Sequence, residues 1–204
     1  MRQRLNIRGA ILFSRDGTRR QPLNNPFATL PMTTLSSFEV LSQSLIPNGA
    51  ATIPYVVQAY FVQVSYPIGA SEDPVTFELT FKETTDFNSG LGQSGVMAQY
   101  IDENGNLVPY PTFISTGSFG FLDQQISPGQ TKIYSVTVAP PSTSKAAMPQ
   151  SGTGWRGVAS LNPSTSGLLV ATPTERQIYF TGDLQEITDS VVYSVPTVSG
   201  GTRI

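Results

Sequence analysis

The chain has 204 residues, no cysteine, no histidine, 13% charged residues and a formal net charge of −2. Lacking those two side chains, it has no disulfide framework, no thiolate or imidazole metal ligand, no cysteine nucleophile and no triad built on imidazole. The charged fraction is about half that of an ordinary soluble domain, roughly 25%, so the surface is covered largely by Ser, Thr, Asn, Gln and Gly. Such a coat loses less desolvation energy than ions do when it meets another protein surface.

The chain opens with "MRQRLNIRGAILFSRDGTRR", which holds Arg2, Arg4, Arg8, Arg15, Arg19 and Arg20 against one acid, Asp16. Leu5, Ile7, Ile11 and Phe13 share one parity, and Arg4, Asn6 and Arg8 share the other. That alternation predicts an amphipathic strand, which Asp16-Gly17 then turns. A secretory leader needs an apolar stretch longer than "GAILF" and a small-residue cleavage site where arginines stand here, so none is recognised. A nucleic-acid arm is basic in the same way, but such arms are dense in charge and unpatterned. Nucleic acid is therefore the less favoured partner.

Further along, "SSFEVLSQSLIPNG" sets Ser36 three residues before Glu39 and repeats Phe38, Leu41 and Leu45 at helical intervals. The spacing predicts one short helix over residues 36–45. "IPYVVQAYFVQVSYP" is apolar on both parities in its first half, as a central strand requires. "PVTFELTFKET" alternates cleanly, with Val75, Phe77, Leu79 and Phe81 toward a core and Thr76, Glu78, Thr80 and Lys82 toward solvent. Asn104-Gly105, between "VMAQYI" and "NLVPY", predicts a hairpin. Pro128-Gly129 predicts a turn ahead of "TKIYSVTVAP", another half-buried strand with Tyr134, Val136 and Val138 inward. "APPSTSKAAMPQSGTG", residues 139–154, reads as a long loop, and further strands are expected near 155–161, 166–172, 176–181 and 190–195. About ten short strands separated by Gly and Pro predict an all-β antiparallel sandwich, jelly-roll or immunoglobulin-like. Residues 1–20 form a basic arm, 21–196 the body and 197–204 a tail.

The motifs that suggest chemistry fail on context. Gly90, Gly92 and Gly95 have dinucleotide-turn spacing, but a strand-like segment follows where a helix must open. Asp102, Asn104 and Asn106 imitate the start of a calcium loop, yet Leu107 and Phe113 occupy the places of its obligatory Gly and Glu. Asp183, Glu186 and Asp189 form a looser acid set of the kind found solvated in loops. The 14 acids leave a two-carboxylate hydrolase conceivable without marking a pair. Lys82, Lys132 and Lys145 offer no buried lysine for a cross-link. No cofactor, metal or catalytic residue is assigned.

Two readings of function remain. The first is a non-enzymatic structural subunit that assembles with copies of itself into a virion shell or appendage, or a surface filament. Its assembly residues would be Arg4, Leu5, Ile7, Arg8, Ile11 and Phe13, because an open sheet edge accepts a strand from another chain. The alternative is a glycan-binding or adhesion module with Trp155, Tyr100 and Tyr110 as its stacking platform; most aromatics in such folds instead fill the core. No apolar run approaches the 18 or so residues of a membrane span.

Overall fold

The computed structural model describes residues 32–44, 55–69, 71–86, 96–109, 113–115, 118–138, 153–181, 186–200 and 204. The expected strand at Leu5–Phe13, the Asp16-Gly17 turn, the Gly90–Gly95 segment and most of the 139–154 loop lie outside these residues. The described strands are β1 (Thr33–Ser44), β2 (Tyr55–Ser65), β3 (Val75–Asp86), β4 (Val96–Ile101), β5 (Leu107–Pro109), β6 (Phe113–Ser115), β7 (Ser118–Ile126), β8 (Thr131–Val138), β9 (Thr153–Pro163), β10 (Val170–Phe180) and β11 (Ile187–Ser194).

All eleven belong to one antiparallel sheet whose main path runs β5-β4-β8-β2-β1-β9-β3-β7-β6. The sheet branches at β2. One edge of β2 pairs with β10 from Tyr55 to Ser65. The other edge is divided, with Tyr55–Val57 on β1 and Ala59–Ser65 on β8. Beyond that division β1 leads away through β9, β3 and β7, and the sheet curls so that its two limbs face each other across the core. Ring contacts span the gap. Phe38 and Phe81 meet Tyr60 at centroid distances of 5.7 and 6.0 Å, and Phe77 and Phe121 meet Tyr134 at 5.8 and 4.8 Å.

The alternation read from "PVTFELTFKET" is realised, with Val75, Phe77, Leu79 and Phe81 buried and Lys82 exposed. β2 is central, as its two apolar faces imply. The Asn104-Gly105 hairpin joins β4 to β5, with Gly105 at a φ of 83°. Asp102 organises it by accepting the amides of Asn104 and Asn106 at 2.9 and 2.7 Å. These bonds, above all those from Asn106, hold the Asp102 carboxyl below its usual range. Pro128-Gly129 turns β7 into β8, with Gly129 at a φ of 84°. The two strands expected near 166–172 and 176–181 are one strand, β10.

Residues 36–44 are strand, not the predicted helix. Ser36 caps no helix; its Oγ lies 2.5 Å from the buried Tyr60 hydroxyl. Glu39 pairs across strands with Arg156, forming an ion pair on the outer face. Phe38 and Val40, two residues apart, both fill the core. Serines at the inward positions 36 and 42 concealed the period of two. The hydroxyls of Tyr60 and Tyr55 satisfy them, so the core accepts them without orphaned donors.

Two of the register shifts change which residues face the core. One between Thr34 and Ser36 lets Leu35 and Phe38 both face inward. The other sits opposite Phe77–Leu79, where Asp123 takes a φ of 51° and the bulged strand shifts face. Phe121 precedes this second bulge and Ile126 follows it, yet both are buried. Gln124, carried inward with them, accepts the Tyr134 hydroxyl at 3.1 Å and donates to the Leu122 carbonyl at 3.0 Å. The segment after β11 returns to the body. Val198 N–H donates to the Leu35 carbonyl at 2.8 Å, and Ile204 pairs with Leu169 and buries its side chain in the core.

β9 lies tightly between β1 and β3. A Cβ on Gly157 would collide with the Lys82 carbonyl and stand 2.9 Å from Phe38 Cε1. Gly157→Ala is therefore expected to lower unfolding free energy in urea titrations by about 1–3 kcal/mol, the usual cost of overpacking.

Burial raises the phenol pKa of Tyr60 and of Tyr134 far above the ordinary value of 10.0. Both stay neutral in the fold at pH values where an unfolded tyrosine has ionised. Their contribution is thus complete below about pH 10 and declines above it, by about 1.4 kcal/mol per pH unit for each tyrosine. Denaturation midpoints measured from pH 8 upward should fall beyond about pH 10, and Tyr134→Phe should flatten that fall. An unchanged slope in the variant would remove Tyr134 from the account.

Candidate assembly interface

The residues that sequence reasoning singled out do not converge on a ligand site. Arg4, Leu5, Ile7, Arg8, Ile11, Phe13 and Tyr110 lie outside the described residues. Trp155 is 1% exposed and packs on Phe119 at 5.2 Å, so it is core and not an exposed platform. Tyr100 is half-buried, stacked on Tyr134 at 5.5 Å and edge-on to Phe121 at 6.0 Å. Phe119 and Phe121 are also buried. The aromatics belong to the core for a local reason. β7 and β9 alternate, and their aromatic positions fall on the inward parity that β3 and β8 complete. Of the acid set, Glu186 and Asp189 are exposed and Asp183 lies outside the described residues. Among the described residues no three acids gather in a way that would hold a metal ion.

What the structure does present is the β10–β11 hairpin at one end of the sheet. β10 is held along its whole length by β2, but β11 is held by β10 alone, in one register from Thr174↔Ser194 to Tyr179↔Asp189 and shifted by a residue at Phe180↔Ile187. All eight residues of β11 are exposed. Four of them are large and apolar: Ile187, Val191, Val192 and Tyr193, at 63%, 55% or less. A strand exposed on both faces adds little to folding, since burial of apolar area is the main favourable term.

The two faces of the hairpin differ. On the core-side parity, Gln177 Nε2 donates to the Tyr193 hydroxyl at 3.0 Å and Tyr179 donates to Gln177 Oε1 at 2.8 Å. Glu175 reaches across to accept the backbone N–H of Glu39 at 3.3 Å, covering the edge of β1 where β2 has left it. Desolvation, and then the nearby Glu175 carboxylate, hold the Tyr193 phenol above its ordinary pKa. On the opposite parity Arg176 lies over the Phe61 ring, 4.2 Å from its centroid, a cation–π contact worth about 0.5–1 kcal/mol when exposed.

Neither protein-family models nor curated proteins match this chain. The site is therefore read from its own residues. Sequence reasoning located a strand near 190–195 but not its isolation. "ITDSVVYS" lacks the strict alternation of β3, and that absence was the available sign that neither face is covered.

Because β11 contributes so little burial, Val191→Thr with Val192→Thr should change unfolding free energy by no more than about 0.5 kcal/mol, the range of ordinary surface substitutions. Trp155→Ala should cost about 3–5 kcal/mol. Urea denaturation of the two variants side by side makes the comparison. A large loss in the valine variant would mean that β11 is part of the folding core.

Proposed function

We propose that this chain is a non-enzymatic structural subunit with a jelly-roll body that assembles with copies of itself into a virion shell or related ordered polymer. The observation that carries this reading is the pairing pattern. A jelly roll arises when a long antiparallel ribbon of eight strands wraps around a core. In it the first strand pairs with the eighth, the second with the seventh, the third with the sixth and the fourth with the fifth. Counting β1, β2, β3, β4, β5, β7, β8 and β9 as the eight, the four pairs are β1·β9, β2·β8, β3·β7 and β4·β5, and each is present. The orders β1-β9-β3-β7 and β2-β8-β4-β5 within the path are those of the two layers such wrapping produces. β10 and β11 extend the second layer beyond β2.

Jelly rolls serve chiefly as capsid domains, lectins and cupins. A cupin site is commonly built on histidine ligands, and this chain has none. A lectin reading loses its strongest residue, because Trp155 is core. The assembly reading is supported by the sparse charge of the surface, the basic alternating sequence of Arg4–Phe13, and an exposed edge strand. The net charge of residues 1–20 is 6 − 1 = +5, which leaves −7 for residues 21–204 of a chain with total −2. A basic strand and an acidic body attract each other between copies as well as within one.

The test is electron microscopy and sedimentation of the purified chain across a concentration series. Regular shells or filaments are expected. A chain lacking residues 1–13 is expected to keep the circular dichroism and urea midpoint of the parent while sedimenting as a monomer. A strictly monomeric parent at all concentrations and salts would reject the structural reading. Intact particles from the shortened chain would reject the role of the N-terminal strand alone.

A further inference from the structure

We propose that the free edge of β11 is the acceptor for the amphipathic strand Arg4–Phe13 of a second copy, which joins the sheet by antiparallel or parallel addition beyond β11. The proposal rests on the self-assembly reading and names the surface that would carry it. Edge strands expose a row of unpaired N–H and C=O groups, and proteins blunt them with shortness, proline, charge or bulges. β5 and β6 have three residues each, and β5 ends in Pro109. β11 has eight residues, no proline, a single charge, Asp189, and one register shift near its start, at Thr188. From Asp189 to Ser194 it is a regular edge longer than either β5 or β6.

Length, pattern and charge all point to the same occupant. Leu5–Phe13 spans nine residues, enough to cover the regular stretch Asp189–Ser194 of β11. Leu5, Ile7, Ile11 and Phe13 supply an apolar row to lie beside Val191 and Tyr193, which alternate on one face of β11. Residues 181–194 carry Asp183, Glu186 and Asp189 with no lysine or arginine, a charge of −3, whereas residues 1–20 carry +5. β11 itself carries −1 and Arg4–Phe13 carries +2, so two copies of β11 edge to edge would set like charge against like, which is destabilising across strands. The charge argument thus favours a donor–acceptor contact over a symmetric one. Head-to-tail contacts of this kind close into rings or shells, or continue as a filament. β11 is exposed along its full length.

The natural absence of cysteine makes the test clean, because every disulfide must come from introduced thiols. One chain carries Ile7→Cys, Gly9→Cys or Ile11→Cys, to sample registers, and a second, size-tagged chain carries Ser190→Cys. They are mixed under mild oxidation, with Ser164→Cys, an exposed turn position, as the control acceptor. At least one register should give a mixed disulfide dimer about tenfold above the control, since a docked strand raises the local thiol concentration. That excess should be lost in high salt, which screens exposed charges. Equal yields at Ser164 and Ser190 in all three registers would overturn the proposal. So would an intrachain disulfide forming at limiting dilution when both thiols are placed in one chain. Microscopy of the unsubstituted chain separates the two levels: regular particles without the preferred cross-link would leave self-assembly standing and remove β11 as the acceptor.

Discussion

One edge of β2 is asked to pair with two strands, and that division shapes the molecule. From Tyr55 to Val57 its partner is β1, and from Ala59 onward its partner is β8. A strand has only one row of donors and acceptors per edge, so β1 must leave the plane of β2 where β8 arrives. Leaving exposes the backbone edge of β1, and buried backbone groups without partners are costly. The Glu175 carboxylate takes the Glu39 N–H, and Val198 donates to the Leu35 carbonyl. The tail after β11 is therefore part of what allows the sheet to branch, and its return path follows from the branching.

The space opened by the branch is filled mainly by aromatic rings. Phe81 sits among Phe38, Tyr60, Phe119 and Phe121 at centroid distances between 5.0 and 6.2 Å, with one stacked and three edge-on contacts. These are the offset and edge-to-face arrangements the ring quadrupole favours. Tyrosine does in this core what phenylalanine alone would not. Tyr60 and Tyr55 reach the serines of β1, while Tyr134 reaches Gln124 on β7. Each polar bond spans two strands, so the core is specified by direction as well as by volume. The same hydroxyl pairing explains why serine is tolerated in β1.

Legibility in the sequence followed how strictly each strand separates its faces. β3 was readable because its apolar and polar residues alternate from Val75 to Lys82, and the β4–β5 hairpin because Asn104-Gly105 is a strong local turn. β1 was misread because Ser36 and Ser42 stand at inward positions, which removes the apolar marks from a period of two and leaves a chance helical spacing of Phe38 and Leu41. No local rule shows that a tyrosine on β2 will satisfy those serines. Trp155 likewise gave no sign of its burial, since its neighbours Gly154 and Arg156 leave its face undefined until β9 is placed between β1 and β3. The branch at β2 was illegible for the same reason: sequence reports which residues form strands, whereas partner choice depends on contacts far apart in the chain.

The edges of the sheet differ in how they are protected from unwanted pairing. β5 is three residues long and ends in proline, and the edge of β1 is covered by Glu175 and by the returning tail. β11 is longer, has no proline and no cover, and is defended only by Asp189 and a register shift near its start, while its hairpin gains little buried surface. An eight-residue strand with Val191, Val192 and Tyr193 in water is a hazard unless some partner regularly covers it. On the proposed reading that hazard is the interface. Negative charge on the acceptor discourages β11 from pairing with another β11, and a donor of opposite sign, tethered to each subunit, makes the correct contact the favoured one.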